Sequence, residues 1–336
     1  MPRRPGALPC WLALLLALGG ASGCIEAPAV LSPASRGGDE VLQLTWIIFA
    51  IAAVVFLIVT GLLFYCAFRF HAGPDAPTPR QVASNVPLEV AWTVIPALVL
   101  VAVLALTVRV VRDVIGPNQA AAATMHVRVV GHQWWWEFQY PDQQVTAANE
   151  AHVPVGESIE FQLESDNVIH SFWVPRLFGK TDVIPGHHNR IYLHADEAGV
   201  YRGQCAEFCG LQHANMRLLV VADPPDRFAA WVQAQKTAAR TPIGQQAQNG
   251  QRIFLESTCS GCHTIQGTPA QGKVGPDLTH VASRAEIAAG TLPFSPANLE
   301  RWLIDPQEVK PGNDMPDLHL DGETITALVA YLAQLE

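Results

Sequence analysis

Two stretches of this chain stay apolar for longer than a globular core element needs. Val41 to Phe68 carries no charge, is interrupted only by Gln43, Thr45, Thr60 and Gly61, and stops at Arg69 and His71. Val90 to Val108 is also uncharged and stops at Arg109. A membrane-spanning helix needs about 20 apolar residues, and Pro96 is tolerable in one, so residues 41–110 read as a transmembrane helical hairpin. Past residue 122 the period changes to two. In SIEFQLE, Ile159, Phe161 and Leu163 fall on one side. MHVRVV, NVIHSFWV, RIYLHA, GVYRGQC and MRLLVVAD read as further short strands with Pro, Gly and Asp between them. That spacing predicts a β-sandwich over residues 122–225. Phe228, Trp231 and Val232 then form a helical stripe, and a polar run follows it, so residues 226–244 read as a helix and an exposed linker. Residues 245–336 end in GETITALVAYLAQL, which puts Ile325, Leu328, Val329 and Leu332 on one face of a closing helix.

Composition sharpens this layout. The 336 residues leave room for two or three domains, and the 49% hydrophobic content is concentrated in the first 110. A formal charge of −9 argues against nucleic acid as a partner and suits a basic protein. MPRRPGALPCWLALLLALGGASGC has two arginines, an apolar run and small residues, so residues 1–23 read as a secretory signal. Cys24 after Ser22-Gly23 resembles a lipoprotein cleavage site, which would place a lipid on that cysteine. Export of the segment beyond residue 110 leaves the short loop bearing Arg69 and Arg80 on the cytoplasmic side.

The chemistry lies in two clusters. CAEFCGLQHANM holds Cys205, Cys209, His213 and Met216, and His170 stands upstream in NVIHSFWVP. Structural zinc takes thiolates and histidines, whereas a thioether beside them points to copper in an electron-transfer site. Paired cysteines in an exported chain also raise a disulfide. Two thiolates could bridge two coppers with one histidine capping each, and the shared odd electron would then cost little rearrangement on oxidation. The second cluster is Cys259-Ser-Gly-Cys262-His263, a C-x-x-C-H haem-attachment motif. Met315, His280 and His319 compete for the opposite axial position.

NVIHSFWVP, LFGKTDVIPGHHNR and CAEFCGLQHANM, behind a two-helix hairpin, resemble subunit II of haem–copper cytochrome c oxidases. Residues 245–336, with Gly275-Pro276 and Met315-Pro316, resemble class I c-type cytochromes, and the pairing resembles the caa3 type. The resemblance implies a multidomain fold: a transmembrane hairpin, a cupredoxin-like β-sandwich and an all-α cytochrome c domain. It implies a binuclear copper A centre on His170, Cys205, Glu207 through its carbonyl, Cys209, His213 and Met216, and a covalent haem c on Cys259, Cys262, His263 and Met315. It further implies magnesium at the Glu207 carboxylate, electron entry at Trp134 in GHQWWWEFQY, and a proton-channel mouth at Glu89 in PLEVAWTVIPA. The expected function is electron transfer from cytochrome c, or from the chain's own haem, to subunit I, where oxygen is reduced and protons are translocated. Expected partners are subunit I, subunit III, an external cytochrome c or other donor, and membrane lipid. The expected location is the bacterial plasma membrane, with the C-terminal domains on its outer face. A quinol oxidase subunit II would share the hairpin and sandwich but lack Cys205 and Cys209.

Overall fold

The computed structural model describes residues 29–336 apart from 72, 74–76, 79 and 116. The expected signal segment 1–23 and Cys24 lie outside the described residues. Helices α1 (Arg36–Arg69) and α2 (Val86–Ile115) bury no side chain and are both long and apolar enough to cross a membrane. Their N-termini lie ahead of the uncharged runs, where polar residues cap them. Ser35 accepts from Gly38 N at 3.0 Å, and Asn85 Oδ1 accepts from Leu88 N at 3.3 Å. Ser35 Oγ also donates to Leu177 O at 2.5 Å, and Ala34 N donates to Arg176 O at 2.7 Å. The anchor is therefore pinned to the domain that follows it.

That domain is a sandwich of ten strands: β1 (Ala123–His132), β2 (Trp135–Tyr140), β3 (Val145–Ala148), β4 (Glu150–Pro154), β5 (Ser158–Ser165), β6 (His170–Trp173), β7 (Thr181–Val183), β8 (Asn189–His194), β9 (Gly199–Cys205) and β10 (Arg217–Asp223). They form sheets ordered β3-β2-β1-β5-β8 and β4-β10-β9-β6-β7. The period-two residues meet between the sheets. Val127, Val129, Phe161 and Leu163 are buried from one side, and Phe172, Leu218 and Val220 from the other. Phe161 and Phe172 stack across the gap at 5.7 Å. Helix α3 (Pro225–Gln235) closes the sandwich: Val232 joins its core, and Trp231 stacks on His152 at 4.4 Å.

The polar run after α3 is exposed, as its composition suggests, but it is not a free tether. Ala239 N donates to Gln266 O at 2.9 Å, and Ile243 N donates to Gln334 Oε1 at 2.8 Å. It is strapped to the C-terminal domain, where α4 (Gln245–Glu256) crosses the closing helix α5 (Gly322–Leu332). The crossing is close because of Gly250: a Cβ there would lie 2.0 Å from Ala327 O. Ile325, Leu328 and Leu332 point into the second core, and Val329 packs at its edge.

Candidate functional site

Strands β9 and β10 are a hairpin whose loop, residues 206–216, folds back over its own base. Cys205 N donates to Met216 O at 2.9 Å, so the first and last members of the soft-ligand stretch are held side by side. β6 lies next to β9 with Phe172 opposite Cys205, which brings His170 alongside. The sulfurs of Cys205 and Cys209 are 3.8 Å apart. A disulfide needs about 2.05 Å, so the disulfide alternative is set aside. Around Cys205 stand His170 Nδ1 at 3.9 Å and the Glu207 carbonyl oxygen at 3.2 Å. Around Cys209 stand His213 Nδ1 at 3.7 Å and Met216 Sδ at 3.8 Å. Six donors thus form two sets of three joined through a pair of sulfurs. One tetrahedral zinc uses four donors and does not call for a thioether. Two coppers sharing both sulfurs use all six, so the residues fit that group.

The His170 imidazole is aimed. His170 is fully buried, and its Nε2 lies 3.0 Å from Asn167 Oδ1. An amide oxygen only accepts, so that nitrogen carries the proton and Nδ1 faces the sulfurs bare. Between the thiols one proton is shared unequally. The hydrogen bond from Cys209 pushes the Cys205 thiol well down, with help from backbone N–H groups. Donating that bond, together with burial, pushes Cys209 up.

Gln133 and Trp134 make the tight turn between β1 and β2, directly above this loop. Trp134 Nε1 donates to Cys209 O at 2.9 Å, and Gln133 Nε2 donates to the same oxygen at 2.7 Å. The indole is thus coupled through one hydrogen bond to the backbone of a thiol residue. Trp135 stacks on His132 at 4.2 Å.

The C-x-x-C-H motif forms a short turn, Cys259–Cys262, and both thiols, His263 and Met315 line one cavity of about 1420 Å³, its open mouth included. The walls include Phe254, Leu278, Leu299 and Trp302, an apolar surround suited to a porphyrin. His263 Nδ1 lies 2.8 Å from Pro276 O, so Nδ1 is the protonated nitrogen and Nε2 is left with a free lone pair, as a metal ligand needs. Burial lowers the His263 pKa and keeps the ring neutral, as ligation requires. A Cβ on Gly275 would lie 2.5 Å from His263 Cε1, so only glycine lets Pro276 approach this ring. Met315 N donates to Asn313 Oδ1 at 2.8 Å, and Met315 O accepts from Gln307 Nε2 at 2.8 Å. The rival histidines stand elsewhere. His280 has both ring nitrogens facing backbone carbonyls, those of Glu336 and Thr237, and His319 is exposed against Asp317.

Glu207 is exposed, and its carbonyl alone joins the cluster. Glu89 is not brought near either site. It lies in the first turn of α2, where its Oε1 accepts from Asn85 N at 3.0 Å. Sequence reasoning missed Asn167, Asn313 and Lys310, which hydrogen-bond His170, the Met315 backbone and the Trp134 carbonyl. Asn167 stands three residues before His170, a local signal that could have been used. Nothing near Lys310 sets it apart from a surface lysine.

The family model for the transmembrane domain of cytochrome c oxidase subunit II matches residues 30–110, and the one for its periplasmic domain matches residues 143–223. The cytochrome c model matches residues 247–336. The chain is 38% identical over 291 residues to cytochrome c oxidase subunit 2 of Alkalihalophilus pseudofirmus, covering 85% of this chain and 84% of that one. It is 32% identical over 328 residues to the Bacillus subtilis protein of the same name, covering 92% of each. The solved periplasmic domain of subunit II from Bradyrhizobium japonicum matches with a TM-score of 0.33 at 32% identity, over 34% of this chain and 94% of that one.

Proposed function

The chain belongs to the cytochrome c oxidase subunit II family, here carrying a cytochrome c domain, and from that premise we propose the residues through which it works. It is a membrane-anchored subunit of a haem–copper oxidase, with its copper-binding domain on the periplasmic side and subunit I as its partner. His170, Cys205, the Glu207 carbonyl, Cys209, His213 and Met216 hold a copper pair. Cys259 and Cys262 hold the haem covalently, and His263 and Met315 are its axial ligands. When bound, these groups supply one-electron relay from an outside donor, a cytochrome c or similar carrier, toward the oxygen-reducing site of subunit I.

The chain's own residues prepare that chemistry. Asn167 and Pro276 fix which nitrogen of His170 and of His263 is free. Asn313 and Gln307 set the Met315 backbone. Burial of Cys205, Cys209 and Met216 keeps water from the sulfurs. Trp134 is the electron-entry residue of the copper domain, and its indole bond to Cys209 O supports that role. The exposed Glu207 carboxylate is offered to magnesium at the border with subunit I. Glu89 stands at the mouth of a proton channel. Subunit III and lipid contact the remainder of the anchor.

The observation that carries this reading is the pair of sulfurs 3.8 Å apart with two further donors beside each sulfur. Cys205→Ser in the assembled oxidase is expected to abolish the copper-pair resonance and oxygen consumption while sparing the haem spectrum. Full turnover in a variant lacking that sulfur would contradict the assignment.

A further inference from the structure

The C-terminal domain does not hang beside the sandwich; it sits on the turns that carry Trp134 and Met216. At the centre of that contact is Lys310, 3% exposed, on the segment leading to Met315. Its Nζ donates to three backbone carbonyls: Trp134 O at 2.7 Å, Asn215 O at 2.8 Å and Ala288 O at 3.2 Å. The first belongs to the β1–β2 turn, the second to the turn before Met216, and the third to the haem domain's own hairpin of Glu286–Ile287 with Leu292–Pro293. An ammonium has three N–H bonds, and here each has an acceptor. Burial works against the charge and lowers the pKa of this group. Two of the three carbonyls belong to the copper domain, so the cost is offset in full only while both domains stay together. The backbone of Lys310 continues the connection. Its carbonyl accepts from Asn313 Nδ2 at 2.7 Å, and Asn313 Oδ1 accepts from Met315 N at 2.8 Å.

The surrounding contact is built for permanence. Gln212 Nε2 donates to Pro311 O at 2.7 Å, and Arg217 N donates to Ala289 O at 3.1 Å. The buried Glu150 carboxylate accepts from Ala285 N at 2.6 Å and Glu286 N at 3.2 Å, and Arg202 pairs with Glu286 at 2.7 Å. Two glycines of the haem domain are pressed against the copper domain. A Cβ on Gly290 would lie 2.8 Å from Arg217 Cβ, and one on Gly312 would lie 2.9 Å from Leu211 Cδ1. The cavity that holds Met315 and His263 is walled on its far side by Gln133, Trp134 and Trp135.

We propose that Lys310 is a positioning residue that clamps the Met315 segment of the haem domain onto the Trp134 turn, fixing the gap that the electron crosses. The claim rests on the haem and copper assignments above. Its consequence is that the face of Trp134 is taken by the chain's own haem domain, so an outside donor delivers to the haem and not to Trp134. The one-electron balance is simple: ferrous haem is oxidised and the oxidised copper pair is reduced, with no proton or co-reactant required.

The test uses the assembled oxidase with Lys310→Met, which keeps the length and removes the donors. Haem and copper content, the copper-pair resonance and the haem potential are measured first, so that failure of the metal assignments is seen separately. With both groups in place, flash reduction of the haem followed at the copper absorbance is expected to slow by roughly tenfold or more, because an ångström-scale misplacement costs that much. The same rate is expected to be independent of added glycerol in the wild type and to fall with viscosity in the variant, while donor-to-haem reduction is unchanged. Lys310→Arg, which keeps donors for the carbonyls, is expected to recover part of the loss. A wild-type rate in a fully loaded Lys310→Met overturns the proposal. If that variant does not load, a wild-type rate that falls with viscosity overturns it, since the docked state would then not be the transferring one. A viscosity-independent wild-type rate with an intermediate rate in Lys310→Gln supports it.

Discussion

Three of the donors in the two clusters are positioned by a neighbouring hydrogen bond. His170 is turned by Asn167, His263 by the Pro276 carbonyl, and the Met315 backbone by Asn313. The donors themselves were legible in the sequence, because C-x3-C-x3-H-x2-M and C-x-x-C-H are local spacings of uncommon residue types. The aiming groups were not, because an asparagine or a backbone carbonyl looks alike wherever it falls. The same holds for the ion pair on the outer face of β1 and β5, where Arg128 hydrogen-bonds Glu164 and holds its carboxyl below the ordinary 4.5. A carboxylate depressed in the folded state contributes stability above its unfolded value, and that contribution is lost as pH falls through the lower folded value. Arg128→Gln is therefore expected to lower stability at neutral pH and to flatten its decline on acidification. Urea midpoints followed from neutral pH down through the glutamate range check this; an unchanged acid slope would show the pair to be silent.

At the scale of elements, the strands with clean alternation were legible and the others were hidden for identifiable reasons. β2 is an exception, since Trp136, Phe138 and Tyr140 alternate with Glu137 and Gln139 as cleanly as in the other strands, and only the run of three tryptophans draws the eye from that period. β3 and β4 are too short to show one, and β7 is three residues long. The haem domain's helix crossing offers a test in which two effects oppose. Ala in place of Gly250 raises helix propensity by about 1 kcal/mol. Its methyl would sit 2.0 Å from Ala327 O, backbone that cannot yield without moving α5. Overpacking of that kind costs roughly 1–3 kcal/mol, so Gly250→Ala is expected to destabilise the domain. Thermal unfolding followed at the haem absorbance reads this directly, and a raised midpoint would mean the two helices are not in close contact.

For the molecule as a whole, the order of parts was legible and their mutual contact was not. The apolar runs, the period-two stretch and the C-x-x-C-H motif each announce a part from nearby residues. The contacts that join the parts are pairings across the chain: Ser35 with Leu177, Gln212 with Pro311, and Lys310 with Trp134. No periodicity encodes such pairings, and a polar run such as residues 236–244 reads as an exposed linker without showing the bonds that strap it to the C-terminal domain. The result is a series of supports joined by hydrogen bonds, from membrane helix to copper loop to haem cavity, with the sulfur pair between them. The most direct test of that pair is electron paramagnetic resonance with metal counting on the purified chain. Two coppers per chain and a seven-line hyperfine pattern, from one electron shared equally by two nuclei, are predicted. A four-line pattern from one copper, or zinc in its place, would contradict the account.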